Sequence, residues 1–346
     1  MKRLLVLISS TVLLSVALFS TALAGQYGNG FTAVSSCTYI GEPGKYRLTN
    51  NFNACLLDEF PFFPTGITID ANDVLLDLSG HTISCQKDEL GNPNGFGILV
   101  GTYASNVRIW GGEVSGCAEG IAMVENTESS VRKMTISDNV IGVHMYGGTY
   151  NKISRNRIVG NDDGIFMAPF DVQGNNVGSI GHRVRKNLIA DNSSFGIITD
   201  GATNSVFACN RTDRNIVGIG LTWLATDNIV KNNVANYNQI SGITAFGFTV
   251  AGEVVQPVAP GNTFKRNSAM SNDGSDMSEI LVELTLPDFP SSPAPECMNT
   301  WKKNQFGLQV GPMECIGTTR VFNDDDDGCA PEYDDDDDGG GDGDDD

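Results

Sequence analysis

After residue 24 no stretch of this 346-residue chain shows a helical period, so strands and bends must build whatever core it has. It also has a single long apolar run, from Leu4 to about Phe19. Lys2-Arg3 precede that run, and Ala22-Leu23-Ala24 offers small residues before Gly25, the layout of a secretory signal peptide over 1–24. No cysteine lies at the expected cut, which argues against a lipid anchor, and no later stretch is long and apolar enough to span a bilayer. The mature chain is expected to be exported, periplasmic or extracellular, with no transmembrane segment. None of the eight cysteines forms a Cys-x-x-Cys pair, which removes the usual zinc arrangements, whereas an even number in an exported chain fits disulfides.

Basic residues are scarce: 22 against 42 acidic, a net charge of −20. Residues 324–346 hold 14 of the acids and no base, so the remainder balances at 22 − 28 = −6. No basic stripe stands out along the sequence and the acidic end would repel phosphates, so nucleic acid is not an expected partner.

What the chain does have is a repeat. The pattern Asn-x-(Val/Ile/Phe)-x-x-Asn-x-x-x-x-Asn gives Asn151, Ile153, Asn156, Asn161, then Val184, Asn187, Asn192, then Phe207, Asn210, Asn215. It continues with Asn228, Val230, Asn233, Asn238 and Asn262, Phe264, Asn267, Asn272, and ends in a partial Asn299, Trp301, Asn304. The apolar anchors Val107, Val131, Ile153, Val184, Phe207, Val230, Phe264 and Trp301 are 22 to 37 residues apart. The short intervals suit one coil of three short strands and three bends, and the long ones the same coil carrying an inserted loop. A Gly and usually Ile or Val follow each third Asn: Gly142-Val143, Gly164-Ile165, Gly196-Ile197, Gly218-Ile219, Gly242-Ile243. Gly is read here as supplying bend angles, the branched residue as facing inward on a strand, and Asn as stacking in ladders from coil to coil. The expected architecture is a parallel β-helix solenoid of about ten coils, all-β, with the Asn residues structural.

With Pro43-Gly44-Lys45-Tyr46, Gly66-Ile67-Thr68-Ile69 and Val74 to Ile83, this repeat resembles the right-handed parallel β-helix proteins of the pectin-lyase-like superfamily, over residues 35–316. The resemblance implies the fold. It does not choose among polysaccharide lyases, glycoside hydrolases, uronate epimerases and members of no known activity. The expected domains are 1–24 signal peptide, 25–65 N-terminal cap and lead-in, 66–316 β-helix and 317–346 acidic low-complexity tail, read as disordered. Cys37 and Cys55 would pin the cap, Cys85 and Cys117 would bridge consecutive coils, and Cys297 and Cys315 flank the last coil. Cys209 reads as a buried thiol and Cys329 as unpaired.

Candidate chemistry lies on the strand after each Gly, the sheet that binds substrate in many relatives of this fold. Alternation puts Ala122, His144, Phe166, Ile198, Gly220 and Thr244 outward in one column. Tyr146, Ala168, Asp200, Thr222 and Phe246 follow in the next, with Trp223 just beyond. Aromatic rings beside scattered polar groups suit sugar faces, so Phe166, Asp200, Trp223 and Phe246 are candidate substrate contacts. Insertions at about 86–96, 168–181, 247–261 and 277–298 would wall a groove or cover the coil. A lyase or epimerase would use His144 and Tyr146 for proton transfer, although no Lys or Arg falls in either outward column. Asn161-Asp162-Asp163 and Gly181-His182-Arg183 echo pectin-degrading hydrolases only in part, since the first Asp motif is missing and His182 is not followed by Gly.

In the tail, Asp325, Asp327, Asp334, Asp336 and Asp338 fit the opening of a calcium loop and would hold calcium weakly, although a run of Asp ending in Gly generates that spacing by itself. The leading reading is therefore an exported β-helix protein that binds an extracellular polysaccharide or is surface-associated, with no proven catalysis. A lyase or epimerase acting on an acidic polysaccharide is the alternative, and a solenoid presenting loops to a protein partner is the third.

Overall fold

The computed structural model describes residues 26–27, 30–57, 60–102, 104–172, 175–222, 224–250, 253–256, 259–283, 291–293, 299–307, 309–310 and 329. The expected signal peptide, Trp223, Cys297, Cys315 and all five calcium-loop Asp candidates lie outside them. Every element among the described residues is a strand.

The chain winds as a right-handed parallel β-helix with three sheets, the hand that right-twisted strands impose on parallel crossovers. The anchor sheet includes Val74–Asp77, Arg108–Trp110, Ser130–Arg132, Lys152–Ser154, Arg183–Arg185, Val206–Ala208, Ile229–Lys231, Thr263–Lys265 and Thr300–Lys302. A short sheet follows in each coil, through Thr82–Ser84, Glu113–Ser115, Thr135–Ser137, Arg157–Val159, Leu188–Ala190 and Arg211–Asp213. The long-strand sheet closes the coil with Phe96–Val100, Glu119–Val124, Ile141–Tyr146, Asp163–Ala168, Phe195–Asp200, Val217–Thr222 and Ser241–Val250.

Stacking like on like fills the interior. Ile67, Ile98, Ile121, Val143, Ile165, Ile197, Ile219 and Ile243 form one fully buried column. Each branched side chain buried this way contributes about 1.5–3 kcal/mol against leaving it in water. In the anchor column the partner of Val131 is Ile109, not the expected Val107. The first interval is thus 22 residues, equal to the next. Val107 instead sits at the corner, where its N–H donates to Ser129 Oγ at 3.1 Å.

The Asn repeat forms hydrogen-bonded ladders inside two of the bends. Asn156, Asn187, Asn210, Asn233, Asn267 and Asn304 are joined amide to amide at 2.9–3.2 Å. Asn139, Asn161, Asn192, Asn215, Asn238 and Asn272 form the second ladder at 2.9–3.2 Å. After the first member of each ladder, every Oδ1 accepts from both the backbone N–H and the side-chain amide of the preceding coil. Asn187 shows the pattern, receiving Asn156 N at 3.0 Å and Asn156 Nδ2 at 3.1 Å. Asp276 ends the second ladder, taking Asn272 N and Nδ2 on one oxygen and Gly307 N on the other.

The glycines of the long-strand sheet have a different reason from the expected one. Gly142, Gly164, Gly196, Gly218 and Gly242 are absent from the left-handed positions. A Cβ on Gly142 would stand 2.6 Å from the carbonyl oxygen of Gly164, and the same clash recurs up the stack. Close approach of successive coils, not bend angles, excludes a side chain there.

Left-handed angles are instead adopted by non-glycine residues in columns. The bend entering the anchor sheet uses Asp73, Asn106, Glu128, Tyr150, Asn204 and Asp227. The bend leaving it uses Lys133, Arg155, Lys186, Cys209, Asn232, Arg266 and Lys303, all with φ between 53° and 58°. Their backbone N–H groups bond in step to the coil above, as in Lys186 N to Ala208 O at 3.1 Å and Cys209 N to Lys231 O at 3.2 Å. This is a basic stripe, contrary to the expectation of none. Its members are 22 to 37 residues apart in sequence and only the coil register aligns them.

Among the described residues the cysteines are paired. Cys37–Cys55 and Cys85–Cys117 bridge as expected. Cys209 and Cys329 are not the buried thiol and unpaired thiol expected of them: they form a third disulfide across 120 residues. Counting cysteines cannot reveal that pairing, because the tail carries no repeat register to align it.

Candidate functional site

The outward face of the long-strand sheet carries the groups expected of it, in the expected columns. Ala122, His144, Phe166 and Ile198 are register partners in sequence, as are Gly220 and Thr244 above them. The His144 ring stacks on Tyr146 at 3.6 Å between centroids and on Phe166 at 4.9 Å. Small Ala122 leaves room beside His144, and Glu119, three residues earlier on the same strand, fills it. Its carboxylate accepts the Tyr146 hydroxyl at 2.5 Å and lies 3.3 Å from His144 Nδ1, without hydrogen-bond geometry to that nitrogen. His144 is only 5% exposed, while Glu119, Tyr146 and Phe166 are partly buried.

Burial, then the negative charge and hydrogen bond of Glu119, push the Tyr146 phenol far above its ordinary value. At neutral pH Tyr146 is a proton donor held by a carboxylate, and it has no tendency to act as a tyrosinate base. Any base in this cluster would be His144 or Glu119.

A second patch lies farther along the face. Phe195 and Phe246 meet edge to face at 6.3 Å. Gly220 forms the floor between them, where a Cβ would sit 3.1 Å from each ring. Asp200 accepts the Thr222 hydroxyl at 2.9 Å, and burial raises its carboxyl despite that bond. The residues of this face thus divide into two groups: Glu119, His144, Tyr146 and Phe166 in one, Phe195, Asp200, Thr222 and Phe246 in the other. Glu119 and Phe195 were not singled out from the sequence. Both are the first residue of their strands, one step before the Gly from which the outward columns are counted.

The partial hydrolase motif does not assemble. His182 is 1% exposed and takes a place in an amide ladder, accepting Asn151 N on Nδ1 at 3.2 Å. Its Nε2 faces Ser179 Oγ at 2.9 Å, which makes Nε2 the protonated nitrogen. Burial lowers its pKa to about 4. Asp163 receives Phe195 N and Asp162 receives Ser193 Oγ, both bend contacts.

Three comparisons bear on this geometry. The family model described as "Periplasmic copper-binding protein (NosD)" matches residues 64–245. No curated protein sequence matches the chain. Among solved structures, a double mutant of the periplasmic alginate epimerase AlgG is similar at 15% identity and a TM-score of 0.51, covering 80% of this chain and 71% of that one. The alginate lyase from Paenibacillus sp. str. FPU-7 is 12% identical with a TM-score of 0.49, covering 79% and 95%. Pectate lyase Pel9A is 14% identical with a TM-score of 0.47, covering 84% and 71%. The likeness to AlgG, at 15% identity, shows the fold alone.

Proposed function

We propose, for a chain that belongs to the NosD family of periplasmic proteins, that it is an exported carbohydrate-binding protein whose long-strand sheet holds a polysaccharide. The observation that carries this reading is the pair of aromatic patches along one outward face. His144, Tyr146 and Phe166 stack in the first, and Phe195 and Phe246 flank Gly220 in the second. Rings at coil spacing, with Glu119 beside the first patch and Asp200 on the strand of Phe195, offer apolar faces and acceptors to successive sugar units.

The family is named for binding copper, an ion that needs several converging donors. Among the described residues no three His, Cys, Asp or Glu converge, and all six described cysteines are in disulfides. Met123, Met145 and Met167 are register partners but lie in the closed core. The described residues do not fit a copper centre, and no step here runs through the metal.

A lyase or epimerase reading rests on the same cluster, with His144 as base and Tyr146 as acid. Binding is the better-supported reading because His144 is closed between two rings and no described Lys or Arg shares its column to neutralise a uronate. Affinity electrophoresis of the mature chain against acidic and neutral polysaccharides, with and without calcium, tests it. Retarded migration on one polymer, weakened by Phe166→Ala, with flat ultraviolet absorbance and unchanged uronate composition of the product, is the expected result. Growth of an unsaturated-uronate absorbance, or an altered uronate composition, would replace binding by catalysis.

A further inference from the structure

The bend leaving the anchor sheet asks for a left-handed residue in every coil, and so does the bend entering it. Backbone strain is therefore the same in both columns and cannot explain their charge. The entering column holds Asp73, Glu128 and Asp227 and no base, whereas the leaving column holds Lys133, Arg155, Lys186, Arg266 and Lys303 and no acid. Asn, Asp and Gly adopt this conformation most readily, so five long cationic residues in one column need another cause. The strand residues next to the bend extend the stripe with Arg132, Arg185, Lys231, Lys265 and Lys302.

Cys209 interrupts this column at its centre, and its sulfur is bonded to Cys329. The disulfide therefore sets Cys329 on the stripe. Cys329 also lies 3.7 Å from Asn232 O, one coil farther along the same column. Beyond Cys329 come 17 residues, 330–346, with ten acids (Glu332, five from Asp334 to Asp338, Asp342, and three from Asp344 to Asp346) and no base.

We propose that the basic column is the docking surface of the chain's own C-terminal segment, residues 330–346, which lies along it as a polyanion tethered at Cys209. The lengths agree. Six coil steps from Lys133 to Lys303, at about 4.8 Å each, make a stripe of roughly 29 Å. Seventeen residues reach at most about 56 Å, so from the central disulfide the segment spans either half of the stripe. Tethering keeps its carboxylates at high effective concentration over cations that single ion pairs would hold weakly. The docked segment screens the stripe from any other linear polyanion. This inference is independent of what the long-strand sheet binds.

Zero-length carbodiimide coupling of the oxidised mature chain, followed by peptide mapping, tests it. Links from carboxylates of 330–346 are expected on Lys133, Lys186 and Lys303 or their strand neighbours Lys231, Lys265 and Lys302. They should be lost in molar salt, where screening shortens to about 3 Å. Links falling equally on the exposed Lys45, Lys87 and Lys152 would overturn the proposal. A second measurement follows cleavage within 330–346 by a protease specific for acidic residues. Docking should slow it on the order of tenfold at low salt against the triple variant Arg155→Gln, Lys186→Gln, Arg266→Gln. The variant's unchanged circular dichroism would show that it folds. Equal cleavage rates in the two folded proteins would also overturn the proposal.

Discussion

At Lys186-Asn187 two adjacent residues follow opposite rules. Asn187 turns inward, is 2% exposed and takes part in hydrogen bonds with the coils on both sides. Lys186 turns outward at the same bend in a left-handed conformation shared by a whole column. The pairing repeats at Arg155-Asn156, Arg266-Asn267 and Lys303-Asn304. An inward bend residue must satisfy buried backbone groups in two neighbouring coils, and the Asn amide meets both demands. Its outward neighbour must adopt the left-handed backbone angle but carries no share of the buried ladder. The inner ladder holds the solenoid together, and the outer column gives it a charged surface.

The largest effect that would break this comparison is expected from Asn210→Ala. It strands the backbone and side-chain donors of Asn187 and the carbonyl of Val184. At about 1–3 kcal/mol for each buried group left unsatisfied, the loss should be about 3 kcal/mol or more in denaturant unfolding. A loss below about 1 kcal/mol would mean that water replaces the ladder.

His182 sharpens the comparison, because a titratable residue occupies an inner ladder position. Its folded pKa, about 4, lies below the ordinary value of 6.5. The stability it contributes is complete above about pH 6.5 and is lost as pH falls through 4, since the unfolded chain takes up the proton first. The difference amounts to about 3 kcal/mol. His182→Asn, which restores the repeat residue, should flatten stability between pH 6.5 and 4 relative to the parent. Parallel pH profiles for the two proteins would remove His182 from the acid response.

On the outward face of the long-strand sheet, Phe166→Ala removes the ring stacked on His144. It should weaken polysaccharide retention by about 1 kcal/mol or more, and the fold should survive because the side chain is only partly buried. The smallest effect is expected at Lys186→Gln, within about 0.5 kcal/mol by thermal melting, because the bend angle and its backbone bond remain. A larger loss would place the outer column among the determinants of the fold and erase the distinction drawn here.

The coil was legible from the Asn spacing because stacked bends repeat the same demand for buried hydrogen bonds, coil after coil. The outward columns were legible for the same reason: strand alternation is fixed once the Gly-Ile step is placed, and His144, Phe166 and Tyr146 fall where it puts them. Legibility ended where the full Asn pattern does not reach and where the reason for a residue lies in the next coil. Ile109, not Val107, belongs to the anchor column, and the repeat glycines answer to a carbonyl in the next coil rather than to a bend.

By itself, then, the sequence determined a parallel β-helix, its inward ladders and two of its disulfides, because these depend on local periodicity and short separations. Only the tertiary structure decided that Glu119 reaches His144 and Tyr146, that five cations scattered over 170 residues form one stripe, and that Cys329 returns to Cys209 at its centre. Those contacts depend on coil register and on side-chain reach across it, which no local pattern of residues encodes.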